Sequence, residues 1–125
     1  MNETVREWVS KAEADYATAS RERAVSDSPN NDVICFLCQQ CVEKLIKAAL
    51  LHRSAAFPRT HDLVELNRLL ARVAPPWSWN EMELQALSMG AVDYRYPGES
   101  ADREDAARAF DICTRSKAAL LKLLA

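Results

Sequence analysis

The chain has 125 residues, the length of one domain spanning 1–125 with room for a sizeable core. Hydrophobic residues make up 49% and charged residues 27%, which sets aside the disordered class, and no apolar run approaches the roughly 20 residues of a membrane span. A net charge of -2 excludes a general electrostatic attraction to nucleic acid and leaves only local basic patches.

The first predicted helix opens between Asn2 and Thr4, where Thr4 and Glu7 have capping-box spacing, and runs to about Val25. Val5, Trp8, Val9, Ala12, Tyr16 and Ala19 recur along one side of it, with Glu7, Lys11, Glu13 and Arg21 on the other. Met1-Asn2-Glu3-Thr4 lacks the basic-then-apolar order of a secretory signal, so a cytoplasmic location is expected. Ser26-Asp27-Ser28-Pro29-Asn30-Asn31 is a cluster of turn formers in which Asn30 or Asn31 can cap the next helix.

That second helix, continuing to His52 or Arg53, has the most informative pattern in the chain. At about 100° per residue, Gln39, Gln40, Glu43, Lys44 and Lys47 fall within an arc of about 140°. The remaining circumference carries Ile34, Leu37, Cys38, Cys41, Val42, Leu45, Ile46, Ala48 and Ala49, more than the roughly 100° apolar stripe of a surface helix. The helix is therefore predicted at the centre of a bundle, and its narrow polar stripe is the first candidate for function. Cys35, Cys38 and Cys41 lie on it at three-residue spacing, but on a continuous helix the outer two diverge by about 120°, so one metal cannot collect them. Together with Cys113 they read as buried small apolar residues.

Ser54 to Pro58 is a connection. Thr60 is the expected N-cap of a third helix with Leu63, Leu66, Leu70 and Val73 on its apolar face, stopped by Pro75-Pro76. Ser78 with Glu81 forms a second capping-box pattern, opening a helix on which Leu84, Leu87, Ala91 and Tyr94 share a face until Pro97-Gly98. Trp77 and Trp79, flanking Ser78, are expected to cap the core. The last helix starts near Ser100, with acids in its first turns, Lys117 and Lys122 in its last, and a core face of Ala106, Ala109, Phe110, Cys113, Leu120, Leu121 and Leu124. No stretch alternates as a strand does. The expected fold is all-α, an up-and-down antiparallel four-helix bundle with one additional short helix.

Few residues are placed for catalysis. His52 suits the negative end of the second helix, and His61 lies at the start of the third, where it can contact backbone. Neither follows a Glu at the spacing of di-iron bundles, and no metalloprotease or nucleophile-elbow motif occurs, so no metal, cofactor or catalytic residue is assigned. With only Gly90 and Gly98, a glycine-rich phosphate cradle is absent, and an anion would be met by side chains such as Lys44, Lys47, Arg59 and Arg95. Glu43 with Lys47 is also explained as a helical ion pair worth a few tenths of a kcal/mol. Gln39 and Gln40, if covered, need hydrogen-bond partners that an interface or a ligand could supply.

Trp8 with Asp15-Tyr16, the run Cys35 to Leu50 with its Gln-Gln-x-x-Glu-Lys-x-x-Lys core, Thr60-His61-Asp62-Leu63 with Leu66, and Tyr94-Arg95-Tyr96-Pro97 occur in an order that resembles the HEPN domain family, named for higher eukaryotes and prokaryotes nucleotide binding. The resemblance covers nearly the whole chain. It implies an up-and-down bundle that dimerises, often made beside a small nucleotidyltransferase as a two-component, toxin–antitoxin-like module. Many toxin members are metal-independent ribonucleases using an Arg followed four to six residues later by His. Here no arginine stands so before His52, and Arg53 precedes His61 with seven residues between.

The expected function is a non-catalytic binding module, a homodimer that takes a nucleotide or a nucleotidyltransferase through Gln40, Lys44, Lys47, His61 and Arg95. The alternatives are a ribonuclease with a variant site of His61 and Arg95, acting on RNA by acid–base chemistry, and a purely structural dimerisation module.

Overall fold

Residues 1–125 are described by a computed structural model containing five helices and no strand: α1 (Glu3–Arg23), α2 (Asn31–His52), α3 (Leu63–Val73), α4 (Glu81–Asp93) and α5 (Arg103–Leu123). Each starts on an Asn or Asp. Asn2 Oδ1 accepts from Val5 N, Asn30 Oδ1 from Val33 N, Asp62 Oδ1 from Val64 N and Asn80 Oδ1 from Glu83 N, while Asp102 and Asp105 form a reciprocal capping box. The expected caps at Thr4, Thr60 and Ser78 are therefore each displaced by two residues, and the last helix starts after Ser100. Asn and Asp are N-caps at least as good as Ser and better than Thr, and each stood close enough in sequence to take the role. Thr60 acts one step earlier, its hydroxyl accepting from Asp62 N to shape the approach to the cap.

Cross-chain bonds set the directions of the helices. Tyr16 meets Thr114, Glu13 meets Lys117, and Ser26 O accepts from Arg103, so α5 runs antiparallel to α1. Ala101 N donates to Asp32 at the start of α2, which makes α5 parallel to α2. Arg115 meets Glu83 and Tyr94 meets Asp105, so α4 runs against α5. Helices α1, α2, α4 and α5 thus alternate up and down. The added short helix is α3, which follows a segment that climbs from the end of α2 back to its middle, where Gln39 Nε2 donates to His61 O at 3.1 Å.

The centre is α2, which packs against all four other helices and buries 13 of its 22 residues. Ile34, Leu45, Ile46 and Leu50 are wholly enclosed, each worth about 1.5–3 kcal/mol in apolar burial. Val5, Ala12 and Ala19 of α1, Leu63, Leu66 and Leu70 of α3, Leu84 and Leu87 of α4, and Leu120 of α5 belong to the same core cluster. The four cysteines are all free and buried. Burial pushes the Cys35 thiol up to about 11, and sulfur–sulfur contact with burial raises Cys41 and Cys113 as well, so these three are not thiolates at neutral pH. Val73 departs from its predicted apolar stripe and is 41% exposed, at the last position of α3. Trp77 and Trp79 stack at 5.9 Å against the core, their indole N–H groups donating to Asn67 and Glu83, as core capping requires. No helix is long and apolar enough to cross a membrane.

Candidate functional site

The polar stripe of α2 is covered by the chain itself. Helix α1 lies over one edge of it and the climbing segment 53–62 over the other. Glu43 is the hub: 4% exposed, its carboxylate accepts from Gln39 Nε2 at 3.0 Å and Lys47 Nζ at 3.1 Å and meets His61 Nδ1 at 2.9 Å. Burial alone would disfavour its charge. The three hydrogen bonds, from Gln39, His61 and Lys47, outweigh that effect and hold the carboxyl below the usual carboxylate range. Gln39 Oε1 in turn accepts from Gln40 Nε2 at 2.8 Å. No buried side-chain polar atom is left without a partner.

The two lysines are drawn into this internal network. Lys47 Nζ, besides its bond to Glu43, lies 5.8 Å from the centre of the Trp8 ring and 5.5 Å from that of Phe57. It is a buried ammonium held by one carboxylate and two aromatic faces. Lys44 reaches across to Asp15 of α1. The partners expected from an interface or a ligand are thus supplied by α1 and by segment 53–62. Sequence reasoning missed Asp15 in this role. Its only signal was its place beside Tyr16, since a cross-helix ion pair has no fixed spacing.

The remaining three predicted site residues come together elsewhere. Gln40, His61 and Arg95 line a cleft of about 760 Å³ between α2, α3 and α4, within the range of small-molecule sites. Phe36 forms part of its wall, with the Arg95 guanidinium 5.5 Å from the ring centre. The cleft also contains residues that spacing along one helix could not reveal: Arg68, Gln85, Ser88 and Asp93, contributed by α3 and α4. Two of the charges there are committed, Arg68 to Glu81 at 2.7 Å and Asp62 to the amides that it caps. Arg95 makes no ion pair.

His61 has the most defined chemistry. Its side chain is 80% exposed although one ring nitrogen touches a buried carboxylate. A carboxylate only accepts, so Nδ1 carries the proton, and Nε2 is left free at the cleft. An imidazole fixed in this way can accept a proton through Nε2, or donate one when doubly protonated. No group of three or more His, Cys, Asp or Glu side chains is placed to hold a metal ion.

The fold and this cleft define an all-helical bundle domain with a lateral polar cleft. The profile of the HEPN domain matches residues 5–121, and the chain belongs to the HEPN domain family. Among solved structures it is similar to the crystal structure of an archaeal HEPN homologue, at 21% identity and a TM-score of 0.68, the match covering 94% of this chain and 95% of the other. At that identity the likeness speaks for the fold. No curated protein matches the chain.

Proposed function

We propose that the chain is a non-catalytic HEPN-type binding module, working as a homodimer, that takes a nucleotide in the cleft between α2, α3 and α4, within a two-component system whose other member is a nucleotidyltransferase. The observation that carries the nucleotide reading is the convergence of His61, Arg95 and Gln40 on one cleft while Lys44 and Lys47 are committed inside the fold. Arg95 and a protonated His61 give charge-assisted bonds to phosphate oxygens, which are the strong ones. Gln40, with one amide hydrogen engaged by Gln39, keeps acceptor and donor capacity for a base or sugar. Calorimetric titration with ATP and GTP tests this. Binding that weakens about tenfold in His61→Ala or Arg95→Ala supports it, and absence of heat up to millimolar nucleotide refutes the nucleotide half. Co-expression with the nucleotidyltransferase of the neighbouring reading frame, followed by sizing of the complex, tests the partner half.

A second reading has its own observation. Glu43 orienting His61, with Nε2 free and Arg95 in the same cleft, is an arrangement in which His61 takes the proton of a 2′-hydroxyl as its oxygen attacks phosphorus, Arg95 stabilises the negative charge on the phosphorane oxygens, and the 5′-oxygen leaves with a proton from the imidazolium or water. RNA incubated with the protein under chelator separates the two readings. Cleavage abolished in His61→Ala favours a ribonuclease, and intact RNA favours the binding module.

A further inference from the structure

The cleft between α2, α3 and α4 is not a cationic site by itself. Its walls carry three carboxylates, Asp62, Glu81 and Asp93, against two guanidinium groups, Arg68 and Arg95, so its formal charge is negative while His61 is neutral. The whole chain carries a net charge of -2. A bare nucleoside triphosphate, itself a polyanion, is not drawn into such a field.

The three carboxylates differ in what they face. Glu81 accepts from Arg68 Nε at 2.7 Å and Nη2 at 2.8 Å. Asp62 accepts from Val64 N and Glu65 N at the head of α3, where the positive end of the helix offsets its charge. Asp93 has no comparable partner. It is exposed, forms neither an ion pair nor a hydrogen bond, and closes α4 at the negative end of the helix dipole, with no basic residue in that last turn. Arg95, two residues further on, is the nearest cation in sequence, but its guanidinium lies 5.5 Å from the centre of the Phe36 ring instead. The negative potential of Asp93 and of the last carbonyls of α4 is thus uncompensated, in the same cleft as the guanidinium assigned to phosphate.

A phosphate and a free carboxylate in one site repel each other unless a cation joins them. Mg²⁺ does this by its ordinary chemistry, keeping several of its waters and being held by one or two carboxylates together with phosphate oxygens. Such a cation arrives with the nucleotide, so it needs no group of three protein ligands, and none is formed here.

We propose that the cleft takes its nucleotide as the Mg²⁺ complex, with the cation bridging the phosphates to the carboxylate of Asp93 while Arg95 holds the remaining phosphate oxygens. This rests on the nucleotide reading of the cleft and deepens it by naming the form in which the ligand binds. The double charge of the cation offsets part of the charge of the ligand and supplies the partner that Asp93 lacks.

The test is calorimetric titration of the full chain with ATP, once in excess Mg²⁺ and once in chelator, for the parent and for Asp93→Asn. Asp93 is exposed and unpaired, so the variant retains the fold, which circular dichroism verifies. The parent is expected to bind ATP at least about tenfold more tightly with Mg²⁺ than without it. In Asp93→Asn that preference disappears, because affinity for the Mg²⁺ complex falls while affinity for bare ATP rises. A parent that binds ATP as well or better in chelator overturns this inference and leaves the nucleotide reading standing, and so does an Asp93→Asn protein that keeps the full preference. No heat under either condition up to millimolar ATP overturns both. Mn²⁺ in place of Mg²⁺ gives a second readout: its paramagnetism should broaden the amide signals of Asp93 and Arg95 first, and broadening centred elsewhere overturns the assignment to Asp93.

Discussion

Glu43 Oε1 in the middle of α2 lies 2.9 Å from Nδ1 of His61, a residue 18 positions later on the segment that climbs back beside that helix. The contact ties a carboxylate enclosed in the fold to an exposed imidazole of the cleft, so the core and the candidate site share one hydrogen-bond network.

Glu43→Gln keeps the shape of the side chain but removes the charge. Lys47 is then a buried ammonium without a carboxylate, 7% exposed, and His61 loses the acceptor that fixes its ring. Stability falls by about 1–3 kcal/mol, the range for leaving a buried polar group poorly satisfied. Urea unfolding followed by circular dichroism measures it.

Acid should weaken the fold through the same residue. The carboxyl of Glu43 titrates below its ordinary 4.5 in the folded chain, so in the acid range the unfolded chain binds the proton first. Stability from this group is therefore fully present above the unfolded value and is lost as pH falls through the lower, folded one. Urea midpoints for the parent chain should drop as pH falls below about 4.5. In Glu43→Gln that drop should be smaller, and equal slopes would show that other carboxylates cause it.

Lys44 and Lys47 should separate from His61 and Arg95 when the two pairs are changed independently. Lys47→Ala removes the ion pair with Glu43 and the contacts with Trp8 and Phe57, and costs about 3 kcal/mol, as expected when one partner of a buried pair is deleted. Lys44→Ala leaves a part-buried Asp15 carboxylate without its partner and costs about 1–3 kcal/mol. Neither change should alter nucleotide affinity in the folded protein. Arg95→Ala, at an exposed position, should do the reverse, lowering affinity with stability within about 0.5 kcal/mol, while His61→Ala should lower affinity and also cost about 1 kcal/mol by removing one of the three partners of the buried Glu43 carboxylate. Thermal melts and calorimetric titration of the four variants read both quantities.

Leu45 tests the central place of α2. It is fully enclosed within the core cluster, and Leu45→Ala should cost about 2–5 kcal/mol. At the margin of the fold, Asp102→Ala breaks the capping box of α5 for about 1 kcal/mol. Denaturant unfolding should rank the two variants in that order.

Most of the architecture was legible in the sequence because it rests on periodicity. The apolar circumference of α2 announced a helix surrounded by others, and the stripe from Val5 to Ala19 marked the face that α1 presents to it. Helix starts were read two residues off where an Asn or Asp competed with a nearby Ser or Thr, since both satisfy the same kind of amide. The candidate site was half legible. Gln39, Gln40, Glu43, Lys44 and Lys47 were visible as one stripe, but which of them faces a ligand depends on what lies above, and that is decided by α1 and by the path of residues 53–62. Asp15 and His61 reach the stripe from 28 positions before Glu43 and 18 after it, distances at which no local pattern operates. The cleft partners from α3 and α4 were illegible for the same reason.

The account depends most on His61, Arg95 and Gln40 being the side chains that meet a nucleotide, with the α2 lysines occupied within the fold. Nitrogen-15 spectra that resolve the His61 imidazole, the Arg95 guanidinium and the two lysine ammonium groups, recorded while ATP is added, address this directly. The account predicts that Nε2 of His61 and the Arg95 signals move with saturable dependence while Lys44 and Lys47 stay in place. Movement of the lysine signals with His61 and Arg95 unchanged, or no movement at millimolar ATP, would contradict it.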